Sequence, residues 1–500
     1  MIEFLENYKE LIAQAIGGLK TLGVKSVKIY LEDSNDFIVA FFASLSLDLK
    51  PLILSSNFSD DDGRFLIDDL GKILSTSSSK FEIDEDAKFY LKTSGSSGEA
   101  KLIEKSLYQM KLEALVLKDS FEFGDEFLAS ASHQHMFGLT FKIFLPLVLG
   151  AKIEPKFLNY PEFIYEKELN NRTLISSPTI LKALLQSNKK ELLAKLKNII
   201  YAGGRLEDSL KNELSKLATC INIYGSTETG VVAFEINSRF RAINGVKLST
   251  QDGVLMVSSP WCECFKTSDL VVVDGDKLTL LGRADRIVKI NEKRISLDSV
   301  EQVILSNELI EDCVCVLSET KERISAIITL SQKGKERFRN DGKIAIINAL
   351  KSDLRAEFKN NIRYFKIVPK IERNQQGKLP KIVADELLNT KYKFEFTKES
   401  LSETNAVFKA FVGYELFYFD GHFLDFALVP GFIQIECVME LAKNLGLDLA
   451  HTNKIEAMKF NSFLRPGDSA KFELNIKSNK LYFNIFANDK PCASGRICIN

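Results

Sequence analysis

The chain has 500 residues, of which 45% are hydrophobic and 27% charged, an ordinary composition for a globular protein that allows a large apolar core. Its 66 Lys and Arg residues almost balance 67 Asp and Glu residues, and a net charge of -1 excludes a strong positive field for nucleic acid or an acidic membrane. No apolar run reaches about 18 residues, and the acidic, amphipathic N-terminus differs from a secretory leader. We therefore expect a cytoplasmic protein of about three or four compact units, with no membrane span and no nucleic-acid partner.

The first part of the chain alternates strand and helix signals. Val27–Glu32 predicts a strand, Asp36–Leu47 a largely apolar helix and Pro51–Leu54 a second strand. The same alternation resumes with a helix at 106–118, a strand at 127–130, a helix at 140–149 and strands at 173–178 and 198–204. This rhythm predicts a parallel sheet covered by helices, in which ligands bind at the carboxyl ends of the strands.

A Gly/Ser-rich stretch, Thr93-Ser-Gly-Ser-Ser-Gly-Glu-Ala-Lys101, follows the predicted strand Lys88–Leu91. Its glycines free the backbone to curl, and its hydroxyl and N–H groups can face a polyanion. The spacing differs from the P-loop of kinase-like NTPases, although the chemistry suits a triphosphate. Such a composition is by itself also that of a flexible loop, so its meaning depends on what accompanies it.

Further polar motifs follow the loop in a fixed order. They are Ile223-Tyr224-Gly225-Ser226-Thr227-Glu228, Lys266-Thr-Ser-Asp269, Gly282-Arg283-Ala-Asp285 with Lys289 and Arg294, and Asn374-Gln-Gln-Gly-Lys378. Taken singly, an aspartate or lysine of this kind is usually a solvated surface residue. Taken together, over about residues 10–390, the motifs resemble the acyl-adenylating superfamily of acyl-CoA synthetases and carrier-protein ligases.

The resemblance implies a site for ATP and Mg²⁺. It assigns the ATP phosphates to Thr93, Ser94, Gly95, Ser96, Ser97, Gly98 and Lys101, the adenine to Gly203, Gly204 and Tyr224 with Gly225 beside them, the α-phosphate to Thr227, Mg²⁺ to Glu228, and the ribose to Asp269 assisted by Arg283. Lys378 would bridge the attacking carboxylate and the α-phosphate, His135 would lie beside the acyl pocket, and Asp285 would be the hinge.

The implied reaction explains why cations are needed. A carboxylate that attacks a phosphate brings two anions together, so positive charge must be placed where negative charge builds. The acyl-adenylate is then open to attack by a thiol, either the phosphopantetheine of an acyl carrier protein or CoA. The sequence departs from the family at Ala100, which replaces a usual Pro, and at Glu292, which replaces a usual Gly in a stretch used against the thiol acceptor.

The C-terminal region has a second set of motifs. They are Phe419-Asp-Gly-His422-Phe, Val429-Pro-Gly431, Ile435-Glu436 and Arg465-Pro-Gly-Asp468. We predict strands near 408–419, a helix from Gly431 to about 445 that is wrapped by other structure, and strands to the end. Over about residues 400–500 these motifs resemble the hotdog-fold 3-hydroxyacyl-carrier-protein dehydratases.

This second resemblance implies a dehydration site that is shared across a homodimer. His422 would take the C2 proton, Glu436 would help the 3-hydroxyl leave as water, and the N–H of Gly431 would stabilise enolate charge. We expect Glu436 to be buried, and a buried glutamate without a function would be costly. Leu424 and Ala427 replace prolines that are common in the dehydratases, so a noncatalytic or a thioesterase hotdog stays open.

The predicted fold is an α/β adenylate-forming large domain with a small α+β C-terminal lid domain, followed by an α+β hotdog domain. The predicted boundaries are 1–281 for the large domain, 282–390 for the lid, 391–403 for a linker and 404–500 for the hotdog. We interpret His133 and His451 as structural. The pairs Cys262/Cys264 and Cys313/Cys315 would suit a zinc site by chemistry, but we interpret them as buried apolar residues.

The predicted function is bifunctional. The front would activate a carboxylic acid with ATP and load a phosphopantetheine thiol, with a carrier protein favoured over CoA, and the tail would dehydrate a 3-hydroxyacyl thioester. The alternatives are an acyl-CoA synthetase with a noncatalytic hotdog, and a scaffold that docks carrier proteins and dimerises through the hotdog.

Overall fold

A computed structural model describes most of the chain. It covers residues 2–55, 62–93, 101–204, 206, 208–236, 239–290, 293–317, 323–354, 358, 361–373, 379–421, 423, 425–449 and 454–499. Contacts divide the chain into two compact units, the first with residues 1–285 and 373–380 and the second with residues 286–372 and 381–500. Among the described residues, no helix combines the length and the apolarity needed to cross a membrane.

The first described sheet of the first unit has five strands. In spatial order they are Phe65–Ile67, Val27–Ile29, Leu52–Ile53, Lys88–Thr93 and Lys101–Ser106. Four of them are parallel, as predicted, and Lys101–Ser106 runs antiparallel to its neighbour with Lys101 opposite Thr93. The Gly/Ser-rich segment 94–100 connects these last two strands and lies outside the described residues.

Helices Lys9–Leu22, Ser34–Ser46 and Leu107–Ser120 share an apolar core with this sheet. The second helix begins where the carboxylate of Asp33 accepts the N–H of Asn35 at 2.8 Å. The third begins at a capping box between Ser106 and Gln109. These caps fix the start of the two helices that the sequence predicted at 36–47 and 106–118.

The described residues also form a sheet of eleven strands in the first unit. In spatial order they are Lys247–Gln251, Val254–Ser259, Cys262–Asp274, Lys277–Arg283, Arg239–Ala242, Gly230–Ile236, Thr219–Ser226, Asn198–Tyr201, Arg172–Ser176, Glu126–Ala129 and Lys152–Ile153. From Thr219–Ser226 onward the strands are parallel, and the others are antiparallel. The change of direction at Thr219–Ser226 leaves that strand's carboxyl end beside a parallel and an antiparallel neighbour.

Helical segments accompany this sheet. They are Met136–Gly138, Leu139–Phe144, Leu145–Leu149, Pro161–Tyr165, Pro178–Gln186 and Asp208–Leu217. The helix predicted at 140–149 is part of a continuous helical run over 136–149, whose middle turn, Leu139–Phe144, is a π-helix.

We call residues 286–372 of the second unit the small domain. It contains the hairpin Ile287–Ile290 and Lys293–Ser296, the strands Ile310–Leu317, Ile324–Leu330 and Ile362–Ile367, and the helices Leu297–Leu305 and Gln332–Asp353. The longer helix is interrupted at Gly342, whose φ of 76° and ψ of 177° lie in a region open essentially to glycine alone. A further helix, Lys381–Asn389, packs on strand Ile324–Leu330.

We call residues 397–499 the hotdog domain. An antiparallel sheet is formed by Thr397–Leu401, Asn405–Phe411, Ser469–Lys477, Lys480–Ala487, Lys490–Cys498 and Ile455–Phe460 in spatial order. Helix Gly431–Ala442 follows Pro430 and buries most of its apolar residues in a shared core with this sheet, as predicted. The predicted strand 408–419 ends already at Phe411, and Phe417–Phe419 is a 3₁₀ turn. Strand Thr397–Leu401 lies inside the predicted linker 391–403.

His133 ties two elements of the first unit together. Its Nε2 lies 2.8 Å from the carbonyl oxygen of Leu31, and its Nδ1 lies 3.2 Å from the hydroxyl of Ser34. Burial, reinforced by the ammonium of Lys142, lowers the pKa of His133 to about 3. The ring is therefore neutral at neutral pH and acts as a structural residue, in agreement with its interpretation from the sequence.

Protonation of His133 should destabilise the fold. Because its pKa is about 3 in the folded chain against an ordinary 6.5, its contribution is complete above pH 6.5 and is lost as the pH falls toward 3. This group alone should lower the free energy of unfolding by about 1.4 kcal/mol per pH unit below about pH 6. Denaturant unfolding from pH 7 to 4 should show that His133→Asn removes this component and that Ser34→Ala, which keeps the imidazole, retains it. Identical pH profiles for wild type and His133→Asn would contradict the assignment.

Candidate functional site

Tyr224 and Asp269 form a hydrogen-bonded pair at the carboxyl end of strand Thr219–Ser226. The phenol of Tyr224 donates to a carboxylate oxygen of Asp269, which lies on strand Cys262–Asp274 opposite Arg283. Burial, followed by the charge of Asp269, raises the pKa of Tyr224 well above its ordinary value, so the phenol stays protonated. The pair fixes the position of a carboxylate that the resemblance assigned to a ribose.

The glycines assigned to the adenine follow the neighbouring strand. Strand Asn198–Tyr201 runs parallel to Thr219–Ser226, and Tyr201 pairs with Asn222. Gly203 follows Tyr201 by two residues, and Tyr224 follows Asn222 by two residues. Gly203 has a φ of 90°, which favours glycine, and both Gly203 and Gly204 are exposed. The structure therefore brings these predicted residues to the same edge of the sheet.

The turn after Tyr224 is held by its own hydroxyl groups. The N–H of Ser226 donates to the hydroxyl of Thr229 at 3.1 Å, and the N–H of Thr229 donates to the hydroxyl of Ser226 at 3.2 Å. A Cβ at Gly225 would lie 2.2 Å from the carbonyl oxygen of Gly230, so the close approach requires glycine. This fixed turn carries Thr227 and Glu228, both half-buried.

Lys105, a buried lysine that was not predicted from the sequence, supports the backbone of this turn. Lys105, on the strand that follows the Gly/Ser-rich segment, is only 3% exposed, and its ammonium donates to the backbone carbonyl of Glu228 at 2.7 Å. Burial lowers the pKa of Lys105, an effect that the charge of Glu113 opposes. The cation therefore holds the backbone of the residue that was predicted to bind Mg²⁺.

Glu113, on helix Leu107–Ser120, completes this support. Its carboxylate accepts the N–H of Val231 and, at 3.1 Å, the hydroxyl of Thr140. Burial raises the pKa of Glu113, while those hydrogen bonds and Lys105 oppose the rise. A Cβ on Gly230 would lie 2.5 Å from this carboxylate, so the turn packs directly on it. A lysine on the strand after the loop and a glutamate inside an otherwise apolar helix face were the available signals.

The boundary between the two units falls directly after Asp285, the predicted hinge residue. The guanidinium of Arg283 pairs with both carboxylate oxygens of Asp285, at 2.8 and 2.7 Å, rather than with Asp269. On the other side of the boundary, Arg286 pairs with Asp298 and Glu301 of the small domain. Each flank of the predicted hinge is thus tied to its own unit.

Several predicted residues lie outside the described part of the chain. They are Ser94, Gly95, Ser96, Ser97, Gly98, Lys378 and His422. Thr93 and Lys101 end and begin the strands that flank the first segment. His135, beside the predicted acyl pocket, is half-buried and directly precedes helix Met136–Gly138.

The cysteines match their structural interpretation only in part. Cys262, Cys313 and Cys315 are buried as expected, whereas Cys264 is exposed, and the expectation of burial is wrong for that residue. Within the described ranges, no group of three or more His, Cys, Asp or Glu side chains is arranged to hold a metal ion.

In the hotdog domain, Glu436 is exposed in the single chain, so the expectation that it would be buried is wrong. It lies one turn from Phe432, which is 55% exposed, and one turn from the exposed Glu440. Gly431, at the start of this helix, meets the ring of Phe460, which a Cβ would approach to 2.7 Å. Glu436 therefore lies on a solvent-facing stripe, next to large apolar side chains.

Loss of the buried support should destabilise the first unit. Lys105→Met leaves Glu113 and the carbonyl of Glu228 without their cation, and we expect the free energy of unfolding to fall by about 1–3 kcal/mol. Glu113→Gln should have a similar effect, and the double variant should lose less than the sum because no uncompensated charge remains. Lys111→Met, on the same helix but paired with the exposed Glu85, is the matched control and should change stability by less than about 0.5 kcal/mol. Strictly additive losses in denaturant unfolding would argue against the coupling.

Two protein families match separate parts of the chain. The AMP-binding enzyme family matches residues 75–256, and the ApeI-like family, described as ApeI dehydratase, matches residues 398–496. One relative is an NRPS-like tryptophan epimerase, fscC, from Fusarium equiseti, which is 24% identical over 347 residues. That match covers 55% of the chain and 23% of the relative, so the chain spans less than a quarter of that protein.

Solved structures of ligases share the fold. ATP-bound MatB from Rhodopseudomonas palustris has a TM-score of 0.65 at 20% identity, covering 77% of the chain and 94% of MatB. The o-succinylbenzoate CoA synthetase MenE from Bacillus subtilis, with ATP and magnesium ion, has a TM-score of 0.63 at 18% identity, covering 78% and 94%. The anthranilate CoA ligase AuaEII, with anthranoyl-AMP, has a TM-score of 0.60 at 15% identity, covering 75% and 90%.

These findings confirm the predicted fold class and both family resemblances. The adenylate-forming ligase fold extends over most of the chain, and the antiparallel C-terminal sheet around its helix agrees with a hotdog. The chain carries an AMP-binding enzyme domain at residues 75–256 and an ApeI-like dehydratase domain at residues 398–496.

Proposed function

We propose that the front of the chain activates a carboxylic acid with ATP and transfers the acyl group to a thiol. The observation that carries this proposal is the fixed turn bearing Thr227 and Glu228, which lies inside the AMP-binding match and next to Tyr224, the hydrogen-bond partner of Asp269. These groups lie where the carboxyl ends of parallel strands meet, the usual place for ligands in such sheets. Binding of ATP by structural neighbours supports the same choice of nucleotide.

Each group has a distinct role in the proposed reaction. Asp269 holds the ribose hydroxyls, and Thr227 contacts the α-phosphate. Glu228 offers the hard oxygen ligand that Mg²⁺ takes, and the ion would supply charge neutralisation at the phosphates. An acid oxygen bonds to the α-phosphorus as the bond to pyrophosphate breaks, and Lys378 neutralises the charge that the two anions bring together. A thiolate then attacks the acyl carbon, and AMP leaves.

The proposed acceptor is the phosphopantetheine of an acyl carrier protein. The ApeI-like dehydratase match supports this choice over free CoA, because the substrate of the hotdog domain would then be presented on the same kind of carrier. Both activities would act on acyl chains in fatty acid metabolism or a related pathway.

We further propose that the hotdog domain dehydrates a 3-hydroxyacyl thioester. His422 takes the proton from C2, a double bond forms between C2 and C3, and the 3-hydroxyl leaves as water with a proton from Glu436. The N–H of Gly431, at the start of helix Gly431–Ala442, faces the enolate oxygen that forms.

A homodimer would complete this site. Glu436 is exposed in the single chain, one turn from Phe432, which is 55% exposed, and the ring of Phe460, which meets Gly431 at the start of the same helix, is 51% exposed. A helix that exposes both a carboxylate and an aromatic ring, next to an exposed ring of the edge strand Ile455–Phe460, is the kind of surface expected where a second copy packs.

Acid-dependent exchange of pyrophosphate into ATP tests the front. A panel of aryl and aliphatic acids should include one that supports exchange, and Lys378→Ala should reduce the rate by about 100-fold or more because the transition-state charge loses its cation. Lys381→Ala changes an exposed lysine three positions later in the sequence, is the matched control and should retain the rate. No exchange with any acid would contradict acid activation, and full exchange by Lys378→Ala would remove only the role of that lysine. Loading of CoA and carrier protein in parallel identifies the acceptor.

Hydration–dehydration of a 3-hydroxyacyl carrier protein tests the tail. His422→Ala and Glu436→Gln should each lower the dehydration rate by about 100-fold or more, through loss of the general base and acid. Glu440→Gln changes an exposed glutamate one turn further along the same helix and should have no effect. An inactive wild type that still activates acids would favour a noncatalytic hotdog, and a wild type inactive in both assays would favour a docking scaffold.

A further inference from the structure

One helix of the small domain makes several contacts with the hotdog domain. Gln332–Asp353 carries Phe338, Arg339 and Lys343, and each of these side chains contacts a loop of the hotdog domain. The interruption at Gly342 lies between Arg339 and Lys343. Arg339 contacts the loop of Asp468, and Lys343 contacts the loop of Asp420. Both domains belong to the second compact unit and share a continuous apolar core.

Phe338 provides the apolar contact. Its ring is completely buried and lies edge-on to the rings of Tyr414 and Phe419, with centroids 5.8 Å apart in both cases. Phe419 begins the Phe-Asp-Gly-His-Phe motif that the sequence analysis singled out. A small-domain side chain therefore packs on the first residue of the dehydratase-like motif.

Arg339 binds another of the C-terminal motifs, the turn Arg465-Pro-Gly-Asp468. Its guanidinium lies 2.8 Å from the carboxylate of Asp468, which is only 2% exposed, and also donates to the carbonyl of Pro466. Arg465 in return donates to the backbone carbonyl of Arg339. Asp468 also accepts the N–H of Arg465 at 2.8 Å, so the buried carboxylate is compensated from both domains.

Lys343 binds the loop that leads to His422. Its ammonium pairs with the carboxylate of Asp420 and lies 5.6 Å from the ring centroid of Tyr364, a residue of the small-domain strand Ile362–Ile367. Burial, followed by the charge of Asp420, raises the pKa of the Tyr364 phenol. Asp420 precedes by two positions His422, which itself lies outside the described residues.

We propose that Phe338, Lys343 and Tyr364 of the small domain are positioning residues for dehydration, because they fix Phe419 and Asp420 at the start of the loop that carries the general base. This inference rests on the proposed dehydratase function. It means that contacts from the small domain stabilise part of the dehydratase-like domain. The two domains then pack against each other and are not joined by the chain alone. Small displacements of a catalytic group lower rates steeply, so loss of this support should appear in kcat.

A charge-swap series tests the proposal in the full-length chain. Lys343→Met should lower kcat for dehydration about 10-fold or more with little change in KM, while acid-dependent pyrophosphate exchange stays at the wild-type rate. Lys343→Arg, which keeps the cation, should restore most of the rate. The swapped double variant Lys343→Asp with Asp420→Lys should be more active than either single variant. Lys333→Met is the matched control on the same helix, since Lys333 pairs with Glu308 inside the small domain.

The outcomes separate this proposal from the proposed function. Wild-type dehydration with an unaffected Lys343→Met variant overturns the positioning role. Absence of dehydration in the wild type overturns the proposed function, and denaturant unfolding of the same series then tests whether the Lys343–Asp420 pair links the two domains. Midpoint shifts of Lys343→Met and Asp420→Asn that are non-additive in the double variant support this link, and purely additive shifts overturn it.

Discussion

The buried carboxylate of Asp468 is the constraint on which the second unit depends. A carboxylate with so little exposure must be paired and hydrogen-bonded, and its cationic partner, Arg339, comes from the small domain. Separating the two domains would remove the cation from that carboxylate and would expose Phe338. The hotdog domain is therefore built as a continuation of the small domain, with one core running through both.

The first unit uses buried charge in a similar way, but to support a turn. Glu113 and Lys105 lie under the segment that carries Thr227 and Glu228, and they contact its backbone rather than its side chains. Hydrogen bonds of this kind are strong because little water competes for them, so the turn is held in one conformation. The side chains that would contact ATP thus lie on a backbone whose position is fixed by the buried residues Lys105 and Glu113. In both units charged residues hold a loop in place: Lys105 and Glu113 in the first unit, and Lys343 in the second. The proposed reactions take place at these loops.

Much of the architecture was predictable from the sequence. The alternation of apolar strands and capped helices near Val27–Ile29 and Ser34–Ser46 predicts a parallel sheet, and the ordered polar motifs predict where its ligands gather. Tyr224, Asp269 and the glycine pair do lie at that edge. Lys105 and Glu113 were missed because a single charged residue in a strand or a helix looks like a surface residue until its neighbours are known.

The errors have physical causes as well. Glu436 was expected inside because its helix is apolar nearly all round, yet Phe432, Glu436 and Glu440 recur every four residues and form the exposed stripe. The segment 391–403 looked like a linker because its residues are charged, which is also typical of an edge strand such as Thr397–Leu401. Contacts such as Arg339 with Asp468 join residues far apart in the chain, and no local pattern indicates them.

Native-state hydrogen exchange on the intact chain tests the central claim most directly. If the small domain and the hotdog domain share one core, the amides of strands Ile324–Leu330 and Ser469–Lys477 should open with the same free energy and the same dependence on denaturant. Protection that persists in Ser469–Lys477 after Ile324–Leu330 has opened, or the reverse, would contradict a shared core and would leave the hotdog as an independent domain.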